Sequence, residues 1–431
     1  MLSKHISSVS GFCLVLLFIW SCCIPQNELI FDFKYSCQEM IYSDQIDMWP
    51  SPSHWHRNLT EMGQLKLKHY ALSINLSYHH NVTNNLYYQA PKSFSTPYMH
   101  KHQNIGRYGV VMLVTRKSFK MAYANIITLR SFSDIAIEIF HYGELRMAQE
   151  IVFSNMKGVN VVNLKDLVFV SQPIQFVDNE RNYQLKSAAL LASQFDDILF
   201  LDTDNVPVKD PIPFFHMPEY LKFGLILWPD IWKTHPKNPI YDIFNQECTN
   251  QWETEAGQML INKNMHMKTL LMSYYIMQDR GFWFDVLFGD KDVMRYAAKI
   301  VGLPYKIVPW FPSIVGYMDR FKGDRFFCGL VMLQNGFNGE PMFFHANQVK
   351  YRGHDVNKDL FQKTQVYKYG HNNLALSPQL ISSSNGFGCT TLAERSGNKY
   401  TKLDLKDTSS LLGDFVDRWL ALRDELMQSW E

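Results

Sequence analysis

The chain has 431 residues, of which 46% are hydrophobic and 14% aromatic, enough for one large or two ordinary domains with a sizeable core and too apolar for a largely disordered protein. Lys plus Arg number 42 against 41 Asp plus Glu, a formal net charge of +1. With no basic run and no zinc-type cysteine spacing, a nucleic-acid binder is disfavoured.

In chain order, the first predicted element is an uncharged stretch from Ile6 to Ile24, densest at GFCLVLLFIW. At about 1.5 Å per residue it just covers the roughly 30 Å of a bilayer's hydrocarbon core. Lys4 precedes it and Glu28 and Asp32 follow it, so the positive-inside bias predicts a cytosolic amino terminus and a luminal remainder, a single-pass type II arrangement. A cleaved signal peptide is the competing reading, but no convincing small-x-small site follows the apolar run. Sequons at Asn58, Asn75 and Asn81 agree with a luminal, glycosylated stem. Cys37, Cys248, Cys328 and Cys389 are an even set with three pairings, suited to an oxidising compartment. The expected organisation is tail and anchor over 1–25, stem over 26–105 with short helices near Leu59–Leu72 packing on the body, catalytic domain over 106–370, and a loop with a C-terminal amphipathic helix over 371–431.

The body opens on a short apolar strand, Tyr108–Thr115, then a helix over Lys117–Leu129, a strand over Ile135–Gly143, a helix from Glu144 to about Asn155 and a strand over Val159–Leu164. A helix over Tyr183–Phe195 leads into the central strand Ile198–Leu201. Strands alternating with helices at this spacing predict right-handed βαβ units and an α/β fold with a mostly parallel sheet. The central strand ends abruptly in Asp202, Thr203 and Asp204, followed by Asn205 and two prolines. Carboxylates at i and i+2 just past the carboxyl end of a buried strand sit where open α/β sheets bind ligands. They can hold a hard divalent cation and leave positions for substrate phosphates; their plain alternative is a solvated turn. A dinucleotide-binding Rossmann domain is the structural rival, but no GxGxxG follows the first strand.

Several further stretches now carry a resemblance: FGLILWPDIW (Phe223–Trp232), ETEAGQMLINK (Glu253–Lys263), FGDKDVMRYAAKIVGLPY (Phe288–Tyr305) and VPWFPSIVG (Val308–Gly316). With KSAALLASQFDDILFLDTDNVPVKDP (Lys186–Pro211), they resemble the fungal Golgi α-mannosyltransferases of glycosyltransferase family 71, most of all the branch that adds α-1,2-linked mannose to the cell-wall mannan outer chain. The likeness covers roughly residues 106 to 350. It implies a GT-A-like fold, a Golgi membrane enzyme, GDP-mannose as donor, a mannan or N-glycan acceptor, Mn2+ or another divalent metal, and retention of anomeric configuration. Other Golgi mannosyltransferases are conceivable partners through the C-terminal helix.

Motif by motif, the resemblance assigns roles. Asp202 and Asp204 would hold the metal across the departing diphosphate. GT-A sites commonly take a further ligand from a late histidine, here His345 after an apolar run; a buried structural histidine is the alternative. Lys350 could reach a phosphate from the same loop, and Lys186 the diphosphate from the exposed face of its helix, although a solvated lysine is the plainer reading of each. Thr115 and Arg116 end the first strand where a base or ribose contact is expected. Trp228 and Asp230 fall in the WPD stretch as substrate contacts. Gly257 allows close backbone approach and Gln258 can address sugar hydroxyls, ahead of a strand over Met259–Ile261. In GDKD, Asp290 is expected as the N-cap of a helix and Asp292 in its first turn, with Asp292 favoured for substrate contact. If retention runs by double displacement, Glu255, Asp290 and Asp292 are the candidate nucleophiles; a front-face route, in which the departing phosphate takes the acceptor proton, needs none. Trp228, Trp232, Trp283 and Trp310 can stack on sugars, though most tryptophans in such a body are core. The tail, Ser409–Trp430, carries an apolar stripe capped by Ser409 or Ser410, and residues 370–400 read as a loop. Alternatives to the α-1,2 transferase are an α-1,3-mannosyltransferase of the same family or a catalytically silent luminal glycan-binding subunit.

Overall fold

The computed structural model describes residues 58–81, 88–89, 107–169, 174–177, 182–248, 252–287, 289–321, 324–349, 356–366, 376–382, 388–396 and 399–429. The apolar stretch Ile6–Ile24, Cys37 and Lys350 lie outside them, as do the side chains of Asn58, Asn75 and Asn81. No helix among the described residues is long and apolar enough to cross a membrane.

Helix α1 (Asn58–Asn81) precedes β1 (Tyr108–Leu113), α2 (Phe119–Arg130), β2 (Ile137–His141), α3 (Met147–Ser154), β3 (Val159–Asn163), α4 (Gln184–Ala192) and β4 (Asp197–Leu201). This is the predicted alternation, with only end residues displaced. Beyond the acidic loop come β5 (Asn205–Pro207), β6 (Leu225–Lys233), β7 (Trp252–Asn262), α5 (Lys263–Gln278), α6 (Val293–Ile300) and β8 (Lys306–Ile307). The central sheet runs β8-β6-β7-β4-β1-β2-β3. Its strands are parallel except at β7, which is antiparallel to both β4 and β6. The central strands β1 and β4 read as near-continuous apolar runs because both faces are covered. Ile198 and Phe200 join the layer containing α4, α5 and α6, whereas Leu199 and Leu201 join the layer containing α2 and α3. That alternation fixes β4 between two apolar layers and leaves its end as the exit from the core.

A second, antiparallel sheet is built from β9 (Ser313–Phe321), β10 (Asp324–Asn335), β11 (Pro341–His345), β12 (Lys363–Val366), β13 (Leu376–Ser382), β14 (Gly388–Ser396), β15 (Lys399–Lys402) and β16 (Asp404–Asp407). Its order is β13-β14-β10-β9-β12-β16, with β11 on β10, β5 on β11 and β15 on β14. The loop expected over 370–400 is therefore replaced in part by paired strands. Their sequence lacks apolar alternation, and they form by pairing on β10 and on each other. Cys328 on β10 and Cys389 on β14 form a disulfide, which selects one of the three pairings open to Cys37, Cys248, Cys328 and Cys389.

Helix α1, placed in the expected stem, is longer than anticipated and docks on the body. Tyr70 and Ile74 enter the core, the Tyr70 ring stacks on Tyr275 at 5.6 Å, and its hydroxyl donates to Asp279 at 2.6 Å. The C-terminal segment packs on the body in two helical pieces, α7 (Ser409–Leu412) and α8 (Phe415–Ser429). The break falls at Gly413, whose φ of 57° favours glycine, and Thr408, not a serine, occupies the N-cap position of α7. Trp419 is fully buried, with Nε1 donating to Asn125 Oδ1 at 2.8 Å.

Candidate active site

The chain leaves the central sheet at Leu201 and enters the second sheet four residues later, so the acidic loop is the seam between them. Asp202 N–H donates to the Gly257 carbonyl at 2.8 Å, and Asn205 N–H to the Asp202 carbonyl at 3.0 Å. Strand β5 then pairs antiparallel with β11 in a register that sets His345 opposite Asn205, and Ala346 N–H donates to the Asp204 carbonyl at 2.8 Å. This ladder brings the late histidine to the acidic pair. Asp202, Asp204 and His345 each offer a ligand atom within 4.8 Å of the others.

Asn205 and Asn125, which the sequence reading left out, hold the loop. Asn205 Nδ2 donates to the Gly257 carbonyl at 3.0 Å and to Gln258 Oε1 at 2.5 Å. Asn125 Nδ2 donates to the Thr203 carbonyl at 2.8 Å. The signal for Asn205 was its place after the second aspartate; Asn125, inside α2, gave none.

His345 is buried, with Nε2 3.6 Å from Asp204 Oδ2 and Nδ1 3.8 Å from Glu255 Oε2. Burial alone would lower its pKa, but the carboxylates of Asp204 and Glu255 outweigh burial and raise it to about 9. Nδ1 is buried without a hydrogen bond among the described residues. Burial pushes the Asp202 carboxyl up, against the pull of the Lys186 ammonium, and pushes Glu255 up as well. Two carboxylates and an imidazole crowded together, with burial holding the Asp202 carboxyl up, fit a divalent cation. The residues that would hold it are Asp202, Asp204 and His345.

The cluster opens on a cavity of about 540 Å³ whose lining includes Lys186, Asp202, Asp230, Glu255, Asp290 and His345; Asp204 lies behind that lining and is 2% exposed. Lys186 is not solvated. Its ammonium sits 2.8 Å from Asp202 and 2.5 Å from Asp290, and it also donates to the Ala256 carbonyl at 3.3 Å. Burial would lower its pKa, but these two carboxylates hold it above the usual lysine range. Lys291, also missed, pairs with Asp230 at 2.5 Å. Glu255 Oε1 accepts from Ala256 N–H at 3.0 Å and Gly257 N–H at 3.1 Å.

Other expectations are corrected. Asp290 does not cap a helix, because α6 begins at Val293 and Asp290 faces Lys186. Asp292 occupies the N-cap position instead, with a left-handed φ of 59°. Its carboxylate accepts from Thr254 N–H at 2.5 Å, Thr254 Oγ1 at 2.8 Å and Arg295 at 2.5 Å. It neutralises a buried arginine and does not line the cavity. Trp228 is core, donating from Nε1 to the Asn335 carbonyl at 2.9 Å, and Trp283 is core too. Gln258 is fully buried and braces Asn205. Thr115 and Arg116 follow β1 at the same rim as Asp202, since Met112 pairs with Leu201, but neither lines the cavity; the Thr115 hydroxyl lies 3.1 Å from that of Ser118.

The mannosyltransferase family model Mannosyl_trans3 matches residues 107–253 and 248–336. The chain is 30% identical over 201 residues to alpha-1,2-mannosyltransferase MNN2 of Saccharomyces cerevisiae, covering 36% of this chain and 33% of that protein. It is 27% identical over 337 residues to alpha-1,2-mannosyltransferase MNN22 of Candida albicans, covering 67% of this chain and 52% of that protein. The matches thus span between a third and about half of the length of these curated relatives. Among solved structures, it is similar to the galactosyltransferase LgtC in complex with donor and acceptor sugar analogs, at 14% identity and TM-score 0.34, over 47% of this chain and 73% of that one. It is also similar to mouse xyloside xylosyltransferase 1, at 13% identity and TM-score 0.30, over 45% of this chain and 81% of that one.

Proposed function

The chain belongs to the mannosyltransferase family, and we propose from that premise that it transfers mannose from GDP-mannose to mannose residues of cell-wall mannoprotein N-glycan outer chains, making α-1,2 linkages with retention. The observation that carries this reading is the convergence of Asp202, Asp204 and His345 beside a cavity lined by further carboxylates and two lysines. The chain's similarity to two alpha-1,2-mannosyltransferases supports the linkage.

A divalent cation, manganese in this proposal, would supply Lewis-acid stabilisation to the departing diphosphate. The chain's own residues do the remainder. Lys186, already charged between Asp202 and Asp290, would offer a buried ammonium to phosphate oxygens. Glu255, fixed by two backbone N–H groups, presents Oε2 to the cavity as an acceptor for a sugar hydroxyl. Both cavity carboxylates once considered as nucleophiles are thus held by donors, Glu255 by the backbone and Asp290 by Lys186, which supports the front-face route. There the acceptor oxygen bonds to the anomeric carbon as the bond to phosphate breaks, and the acceptor proton passes to the leaving phosphate oxygen.

We place this activity in the Golgi lumen behind an anchor at Ile6–Ile24, a reading supported by the uncharged run, the sequons and the Cys328–Cys389 disulfide. The test is the purified full chain with GDP-mannose, Mn(II) and an α-1,6-linked mannan. Linkage analysis of the product separates α-1,2 from α-1,3 transfer, and absence of turnover across several donors would favour the silent glycan-binding subunit.

A further inference from the structure

We propose that the wall of the cavity built by β6, β10 and β14 is the subsite for the acceptor sugar, with Trp232 as its ring platform and Gln348 and Thr390 as groups that read its hydroxyls. This rests on the transferase reading above and names where its second substrate lies.

Topology separates the two substrates. Nucleotides in mostly parallel sheets lie beyond the carboxyl ends of the strands, here the rim of β1 to β3 where Thr115 and Arg116 sit. Those residues do not line the cavity. The sheet order β6-β7-β4-β1 puts β6 on the opposite side of β4 from β1. The cavity extends that way, taking Ile231 and Trp232 from β6 and Met332 from β10. This space adjoins the acidic cluster but lies away from the nucleotide rim, where the second sugar has to be.

The surface has the two chemistries a pyranose needs. A sugar ring presents one face of C–H groups and a rim of hydroxyls, so it pairs with an aromatic platform flanked by amides and hydroxyls. Trp232 is half-buried and packs on an apolar cluster of Ile231, Ile314 and Met332, so the platform is backed by core. Trp228 and Trp283 are wholly buried, which leaves Trp232 as the tryptophan among the cavity's described lining residues. The same lining takes Asn347 and Gln348, which follow β11, and Thr390 on β14.

The polar wall is also held in place. The Cys328–Cys389 disulfide joins β10 to β14 beside Gly329 and Thr390, which pair in the sheet. A Cβ at Gly329 would fall 2.2 Å from the Thr390 carbonyl oxygen, so β14 sits closer than any side chain there would allow. Thr390 is thereby presented at a set position without help from ligand.

The experiment is calorimetric titration of the full chain with α-1,6-linked mannotriose, without donor, for wild type, Trp232→Ala and Gln348→Ala. Gln348 is exposed, so its substitution leaves the fold intact and guards against misfolding of the tryptophan variant; thermal midpoints check both. Expected are measurable binding by wild type, at least tenfold weaker binding by Trp232→Ala and a loss of threefold or more in Gln348→Ala. Undetectable binding by wild type, or unchanged affinity in both variants, overturns the subsite. Binding lost in the variants together with no transfer from GDP-mannose by wild type keeps the subsite and removes the transferase reading.

Discussion

A Cβ added at Gly257 would lie 2.5 Å from His345 Cε1 and 2.8 Å from Nδ1, so the glycine of β7 and the histidine of β11 share a space that only the backbone of one and the ring of the other can occupy. In a strand interior, alanine ordinarily replaces glycine with a small gain. Here Gly257→Ala must push the imidazole from the two aspartates. The expected outcome is a loss of roughly tenfold to a hundredfold in metal affinity with an overpacking cost of about 1–3 kcal/mol. Manganese titration alongside thermal unfolding checks it, and wild-type affinity in the variant would refute the packing argument.

Asp204→Asn keeps the shape of the loop but removes a charge that both His345 and a cation would face. Transfer activity should fall by about a thousandfold or more, with the apo thermal midpoint changed by only a few degrees. Wild type treated with chelator should lose activity likewise. Excess Mn(II) at about a hundred times its Kd should stabilise wild type by roughly 2.7 kcal/mol and the variant hardly at all; equal stabilisation of the two would place the cation elsewhere.

Lys186→Met leaves Asp202 and Asp290 without the ammonium between them. Breaking a buried pair from one side costs about 3–5 kcal/mol, and the loss should be larger at pH 8 than at pH 5, because burial already pushes the Asp202 carboxyl up and its protonation removes an unpaired charge. Adding Asp290→Asn to Lys186→Met should recover stability by on the order of 1–3 kcal/mol. Chemical denaturation of the metal-free proteins reads both, and an additive double mutant would contradict direct coupling.

Glu253 is buried near Asp292 and Asp230, and burial first, then those charges, push its carboxyl up to about 8 from 4.5. A group whose pKa is raised by folding contributes stability that is whole below pH 4.5 and is lost as pH climbs through about 8. Glu253→Gln should remove that slope, so the wild type should lose on the order of 2–4 kcal/mol relative to the variant between pH 4.5 and 8.5. Parallel stability curves would show that Glu253 ionises normally.

The first four strands were legible because short apolar runs alternate with helices at βαβ spacing, and β4 announced the site by giving way to Asp202 straight after Leu201. His345 was found as a candidate, but what places it, its pairing opposite Asn205, is a non-local register that spacing does not encode. Lys186 was misread as solvated because α4 carries apolar residues on one stripe, whereas the fold buries the helix from Gln184 to Ala192 on every side. Asp290 and Asp292 exchanged roles because a buried Arg295, three residues on, claims the carboxylate nearest to it. Strands β13 and β14 were unreadable from pattern, as their order comes from partners across the sheet and a sulfur bridge.

The seam between the sheets bears on the order in which a cation site could be completed during synthesis. Both aspartates leave the ribosome with the first half of the body, whereas the imidazole arrives only on the strand that must thread against β5. A chain halted before Pro341 would carry the acidic pair yet lack its third donor, so loading of a divalent cation would be a late event, gated by completion of the second sheet and readable as cation uptake by arrested chains of increasing length.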